Sequence, residues 1–323
     1  MPLPAEPAVH CRSDRWLPGA AAALAVGNFD GVHVGHAEIV RRLRAAADRH
    51  GVPAVVLTFD PHPAAIVRPD AAPVPLSTPA RRAALLLDLG IDAVLVQPAD
   101  RGLVELEAEA FYADVLRGRL RGVALVEGAD FRFGAGRRGD VGRLAAWAAA
   151  DGIEFEVVPP VVVDGTAVSS SRIRGLVSAG EIAAANRLLT APLRLSGLVV
   201  TGARRGTGLG FPTANLAAVG TIVPRAGVYA AWAGVAGAPA WPAAVHIGPN
   251  ASFGETALSV EVHLIGFAGD LYGRRLDVDF LARLRDTRRF DSVQALTTQM
   301  TADVAAAAQI AAGGATPGSD HAT

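Results

Sequence analysis

Near residue 190 the patterning of this 323-residue chain changes character, and any fold it adopts must accommodate that break. Before it, from 20 to about 165, apolar runs alternate with helical patterns. Segments 20–26, 52–59, 91–97, 123–126 and 153–158 have the composition of buried strands. One helix is expected to open at Thr78, a capping residue followed by Pro79 in the first turn. Others are expected over 107–120 and 142–150. This alternation predicts a parallel sheet covered by helices on both faces, with ligands at the carboxyl ends of the strands. After the break, segments 193–200, 227–235, 243–247, 258–267 and 275–280 are short apolar runs separated by Gly and Pro. That is the pattern of an antiparallel barrel. A helix from Asp291 or Ser292 to about Ala312 should pack on it, and 313–323, small and polar, should be disordered. The expected class is α/β: a Rossmann-like parallel-sheet domain over 1–188, then a small antiparallel β-barrel domain with a C-terminal helix over 189–312.

Between the first apolar run and a good helix former lies GNFDGVHVGH, residues 27–36. A strand-to-helix turn offers free backbone N–H groups and a helix dipole to a phosphate. Gly31 and Gly35 let the main chain approach a ligand closely. His33 and His36, three residues apart, project to the same side of the helix start, where they can stabilise charge on phosphoryl oxygens. The same histidines are also compatible with a solvated surface or with half of a metal site. Two more motifs fall at the same sheet edge: TFDPHP (58–63), which taken alone is equally compatible with a plain turn, and the Gly- and Arg-rich DFRFGAGRRGD (130–140), which taken alone is equally compatible with a solvated loop. At a helix start, SSSRIR (169–174) supplies hydroxyls that cap N–H groups or bind phosphate, with Arg172 and Arg174 as cations.

In the second half a glycine-rich stretch from Gly202 runs into GLGFPTANL (208–216). Thr213 and Asn215 alternate on one side of an extended segment, presenting two oxygens to one point. That suits Mg²⁺ carried on ATP, which needs only one or two protein oxygens. In VEVHL (260–264) the apolar residues take one face and Glu261 and His263 the other. A carboxylate fixed on a barrel strand can accept a hydroxyl proton, although an outward Glu on such a strand is commonly just solvated.

Composition excludes several alternatives. Every basic residue is Arg, so no Walker-type lysine or lysine Schiff base is available. A single cysteine, Cys11, allows no internal disulfide and no cysteine-rich zinc site. A net charge of −1 gives no broad footprint for nucleic acid. No stretch has the length and apolarity of a membrane span, so the cytoplasm is the expected location.

Taken together, GNFDGVHVGH, TFDPHP, DFRFGAGRRGD, SSSRIR, GLGFPTANL, GVYA, VEVHL, DLYG and LRDTRRF resemble, in order, the prokaryotic bifunctional riboflavin kinase/FMN adenylyltransferase (FAD synthetase) family over about 20–310. The resemblance implies an N-terminal module that transfers AMP from ATP to FMN and a C-terminal module that phosphorylates riboflavin. It implies ATP contacts in the first module from Gly27, Phe29, Asp30, His33, Gly35, His36, Ser169, Ser170 and Arg172. Asp60 and Asp130 would lie near flavin or nucleotide. In the second module Gly202, Arg205, Gly206, Gly208, Thr213 and Asn215 would bind ATP, Thr213 and Asn215 with Mg²⁺. Glu261 would be the base for the ribityl hydroxyl, with Tyr272 and Arg285 on the flavin side. The expected partners are ATP, riboflavin and FMN, not nucleic acid or membrane; a homo-oligomer is compatible with the sequence. The chain departs from the family at Ser171, Leu189–Pro192, Asn250–Phe253 and Gly266. A non-catalytic flavin-binding relative and a nucleotidyltransferase with another acceptor are the competing readings.

Overall fold

The computed structural model describes residues 7–11, 19–202, 208–235, 237–249 and 259–313. They form two compact units, 1–169 and 170–323. Helices over 170–188 thus group with the barrel, whereas the change in sequence pattern places the domain limit at 188/189.

In the first unit a six-stranded sheet has the order β1-β4-β3-β2-β5-β8. These strands are β1 (Ala8–Cys11), β2 (Ala22–Val26), β3 (Ala54–Asp60), β4 (Ala93–Pro98), β5 (Gly122–Gly128) and β8 (Glu154–Val158). Five run parallel, and β1, unforeseen in the sequence, adds an antiparallel edge along β4. All five residues of β2 are buried, as a central strand covered on both faces requires. Helix α1 (Val34–His50) packs on β2 and β5 through Val40, Leu43, Ala46 and Ala47. The shorter helices are α2 (Pro63–Val67), α3 (Pro79–Asp88), α4 (Arg101–Val104), α5 (Ala108–Ala110) and α6 (Val141–Ala150). Thr78 caps α3 with Pro79 in its first turn, as expected. The predicted 107–120 helix is α5 continued by a π-helical segment, Phe111–Arg119. Two small hairpins, β6 (Arg132–Phe133) with β7 (Gly139–Asp140) and β9 (Val162–Val163) with β10 (Thr166–Ala167), complete the unit.

Strand order reverses at β2 and β5, where a crevice opens in sheets of this kind. The β2–β5 ladder runs as far as Leu24–Leu125, and the Glu127 carboxyl then accepts the Val26 N–H at 2.8 Å. A side chain thus takes over a backbone position beside the turn that carries GNFDGVHVGH. Burial pushes the Glu127 carboxyl well above the ordinary carboxylate range, against the pull of the Val26 N–H.

The second unit begins with α7 (Ser170–Ala179) and α8 (Ile182–Leu188). Asn186 ties α8 to the barrel by donating to the Phe280 carbonyl and accepting the Leu193 N–H. The barrel is closed and antiparallel, in the order β11-β12-β15-β14-β13-β16. Its strands are β11 (Arg194–Val200), β12 (Ala214–Ala217), β13 (Gly227–Gly234), β14 (Trp241–Gly248), β15 (Ser259–Leu264) and β16 (Arg275–Arg285). Leu195, Val245, Ile247, Val262, Val278 and Phe280 fill its interior. Strand β16 outruns the expected 275–280 because its far half pairs with β13 across two register shifts. Helix α9 (Val293–Gly313) lies against β13, β14 and β16. Among the described residues no helix is long and apolar enough to cross a membrane.

Candidate active sites

In the first unit the chain leaves β2 through a strained turn: Phe29 and Val32 both take positive φ, at 46° and 43°. For a β-branched Val this backbone is a genuine outlier, worth about 1–3 kcal/mol, and it persists only where the surroundings enforce it. The enforcement is visible. The buried Asp30 carboxylate accepts the Leu76 N–H at 2.9 Å and the Ser77 N–H at 3.1 Å. Ser77 Oγ donates to Asp30 at 3.2 Å and accepts the Gly31 N–H at 3.0 Å. Thr58, buried on β3, donates to the Asn28 carbonyl at 3.0 Å.

Beyond the turn, α1 caps itself with its own histidines. His33 Nδ1 accepts the His36 N–H, and His36 Nδ1 accepts the His33 N–H, each at 3.3 Å. The two rings stack with centroids 3.6 Å apart and planes 14° from parallel. Because each Nδ1 is an acceptor, each neutral ring carries its proton on Nε2. Gly35 permits the stack, since a Cβ there would sit 3.1 Å from the His33 ring. Burial lowers His33 to about 4, against the pull of Asp130 and Asp30. Burial also holds His36 well below its ordinary value, helped by His33 and Arg82. The helix start therefore presents two neutral, parallel N–H donors, suited to charge that develops on a phosphoryl oxygen.

The structure brings Phe29, Asp30, Gly35, His33 and His36 together and sets the Asp130 charge near His33. Gly27 abuts Phe29, whose ring lies 3.1 Å from where a Gly27 Cβ would be. Asp30 differs from expectation: its carboxylate is turned to the 76–77 backbone and works as a brace. Asp60 is exposed at the tip of β3, where its carbonyl accepts the Ala99 N–H. Ser169 is the last residue of the first unit, while Ser170 opens α7 and Arg172 lies in its first turn. Ser77 and Arg82 carry no motif and escape sequence reasoning. The available signal for Arg82 was a charge three and four residues before Leu85 and Leu86, on the buried face of α3.

In the barrel, register does the assembly. Strand β12, too short to stand out in the sequence, pairs Asn215 directly with Glu261 of β15. On β15 Val260, Val262 and Leu264 are buried, so Glu261 and His263 face outward, and Asn215 shares that face. Thr213 precedes β12 on the Asn215 side. His263 Nδ1 donates to the Pro212 carbonyl at 2.8 Å, and its ring meets Phe211 edge-on, pinning the PTAN segment to β15. A Cβ on Gly202 would lie 2.2 Å from the Asn215 amide nitrogen, so only glycine lets the chain pass there. Ser259 Oγ lies 3.4 Å from Glu261 and donates to the Gly248 carbonyl at 3.0 Å.

Across β14 from Glu261 stands His246, held below its ordinary value by burial and by Arg285. Arg285, expected on the flavin side, is engaged by α9: its guanidinium grips Asp303 at 2.7–3.1 Å and lies over the Phe290 ring. Counting strands either way round the closed barrel, β16 stands three positions from β15, so Arg285 and Glu261 belong to opposite walls. Tyr272 is exposed on the β15–β16 connection. Gly208 is exposed before β12, whereas Arg205, Gly206 and the 250–253 departure lie outside the described residues. Among the described residues no group of three or more His, Cys, Asp or Glu could cage a metal. The Thr213 and Asn215 oxygens fit Mg²⁺ only as it travels on nucleotide phosphates, completing its shell with phosphate and water.

A family model described as FAD synthetase matches residues 19–172, and one described as riboflavin kinase matches 189–311. The chain is 40% identical over 288 residues to the bifunctional riboflavin kinase/FMN adenylyltransferase of Pseudomonas fluorescens, covering 89% of this chain and 92% of that one. It is 34% identical to the protein of the same name from Escherichia coli K12 over 286 residues, 88% and 91% of the two chains. A crystal structure described as a macrolide-efflux protein from Streptococcus pneumoniae superposes with a TM-score of 0.78 at 30% identity, covering 93% of this chain and 96% of that one.

Proposed function

The chain belongs to the bifunctional riboflavin kinase/FMN adenylyltransferase family, and on that premise we propose which residues carry out each reaction. It phosphorylates riboflavin with ATP to give FMN, then transfers AMP from ATP to FMN, giving FAD and pyrophosphate. In the first reaction a ribityl hydroxyl attacks the γ-phosphorus and ADP leaves. In the second an FMN phosphate oxygen attacks the α-phosphorus. Both rely on positioning and on stabilising phosphoryl charge.

We assign the kinase step to the outer face of the barrel. Glu261 takes the hydroxyl proton, and Thr213 and Asn215 would hold Mg²⁺, which when bound neutralises phosphate charge. Gly202, Gly208 and the Arg205–Gly206 stretch cradle the nucleotide, and Tyr272 and Arg285 flank the flavin. We assign adenylyl transfer to the α1 start. There His33 and His36 donate Nε2–H to the transferring phosphate, and Gly27, Phe29, Asp30 and Gly35 shape the turn around it. Ser169, Ser170 and Arg172 bind ATP phosphates, and Asp60 and Asp130 lie toward flavin or nucleotide. The functional modules are 1–188 and 189–312, working in the cytoplasm on small molecules without nucleic-acid or membrane partners.

The observation that carries the kinase assignment is the register pairing of Asn215 with Glu261, which unites two motifs distant in sequence. Its test is flavin analysis after incubation with riboflavin and ATP, with Mg²⁺ or with excess chelator. FMN and then FAD should accumulate with the metal and neither without it. FMN formation that survives chelation removes the Mg²⁺ assignment.

A further inference from the structure

We infer that Arg82 is a positioning residue for adenylyl transfer, locking the 27–36 turn in the geometry that presents the His33–His36 pair. The inference rests on the assignment of that pair made above. Arg82 lies on α3, 5% exposed, and reaches from the helix to the tip of β3. Its Nη1 donates to Thr58 Oγ1 at 3.0 Å and to the Phe59 carbonyl at 3.1 Å. Its Nη2 stands 3.8 Å from the Asp30 carboxylate.

Through these contacts Arg82 touches two of the braces on the turn, Thr58 and Asp30, and Asp30 is bonded to the third, Ser77. Thr58 holds the Asn28 carbonyl, Asp30 grips 76–77, and Ser77 returns to the Gly31 N–H. Residues 28, 30 and 31 are thereby fixed around Phe29 and Val32, the two strained positions. A turn stored in this backbone relaxes when its ties are cut, and it is the turn that aims both imidazoles. A buried guanidinium also keeps a neutral base neutral. Besides burial, the titratable or charged groups that bear on His36 are His33 and Arg82, and those that bear on His33 are Asp130 and Asp30. Burial is the larger influence on His36, but removing Arg82 takes away one of the groups that hold it below its ordinary value and leaves the two carboxylates that favour a charged His33.

A cation that merely glued α3 to the sheet would matter to stability alone. The two roles separate in the pH profile and in the division of effect between kcat and KM. Three variants of the full-length enzyme are assayed with FMN and Mg-ATP: Arg82→Met, Arg82→Lys and Ser77→Ala. Arg82→Met should lose about 100-fold in kcat, the scale of a misplaced catalytic pair, with a smaller change in the KM for ATP. The acid limb of its pH profile should move to higher pH. Arg82→Lys, which keeps the charge but not the forked hydrogen bonds, should lose rate without moving that limb. Ser77→Ala, a milder cut in the same brace, should lower kcat with only a small fall in melting temperature, which covers an Arg82→Met chain that fails to fold. Unchanged kcat in both Arg82→Lys and Ser77→Ala overturns the inference. So does an acid limb in Arg82→Met that coincides with that of the unaltered enzyme. A fully active His36→Ala variant overturns the site assignment itself, whatever the Arg82 variants do.

Discussion

The two candidate sites are built in opposite ways. The one in the first unit is local: a ten-residue segment turns, strains and caps its own helix, and both functional side chains come from it. The one in the barrel is assembled by topology, since Asn215 and Glu261 meet only because β12 and β15 are neighbours in a closed sheet. In the first pair His33 is buried and His36 partly so; the second pair lies on the outer face of the barrel. The difference teaches where each is fragile. A local site fails when its braces fail, and a register site fails when its strands slip.

The largest separation between them should come from Glu261→Gln. Losing the base should cost riboflavin phosphorylation about 100- to 10,000-fold, while FAD formation from supplied FMN keeps its rate. Flavin chromatography reads both at once, and a matching fall in FAD formation would mean the sites are not independent. His36→Ala should do the reverse, costing adenylyl transfer about 100- to 1,000-fold by removing one donor to the phosphate and leaving phosphorylation of riboflavin intact.

The third prediction uses burial. His33 titrates near 4 in the folded chain against 6.5 for a free imidazole. Between those values the unfolded chain binds the extra proton, so stability rises with pH. The contribution is complete above about 6.5 and is lost as pH falls through about 4, about 3 kcal/mol in all. Urea unfolding of the chain at pH 7 and pH 4.5, compared with His33→Gln, should show a larger loss in the unaltered protein, the remainder in the variant coming from His36 and His246, which burial also lowers. An equal loss in both assigns the pH effect elsewhere. Smaller again is Asp30→Asn, which weakens the grip on 76–77 and should cost about 1–3 kcal/mol of unfolding free energy. It should slow adenylyl transfer but not phosphorylation, and a slowed kinase would contradict its placement as a brace of the first site alone.

The same contrast governs what could be read from sequence. Alternating apolar runs specified β2, β3, β4, β5 and β8, because buried parallel strands leave continuous apolar stretches. The barrel was legible as a class through its Gly and Pro breaks. Its decisive strand was not: Ala214–Ala217 is too short for any period to register, and its pairing is a property of closure. His33 and His36 stood out as a motif, yet their mutual capping and neutral tautomers depend on coordinates. Asp30 stood out in the motif, but its bonds to the 76–77 backbone did not, since a motif records that a carboxylate is present and not which way it points. Arg82 lay in an ordinary amphipathic pattern. Its partners Thr58 and Asp30 come from other elements, so only the folded chain shows what a charge on that face is for.

The most direct test of two independent sites in one chain is complementation between Glu261→Gln and His36→Ala, supplied with riboflavin and Mg-ATP. Alone, the first should leave riboflavin unconverted and the second should stop at FMN. Mixed, they should carry riboflavin through to FAD, because FMN released by one is substrate for the other. A mixture that halts at FMN, or either variant lacking both activities, would contradict the account.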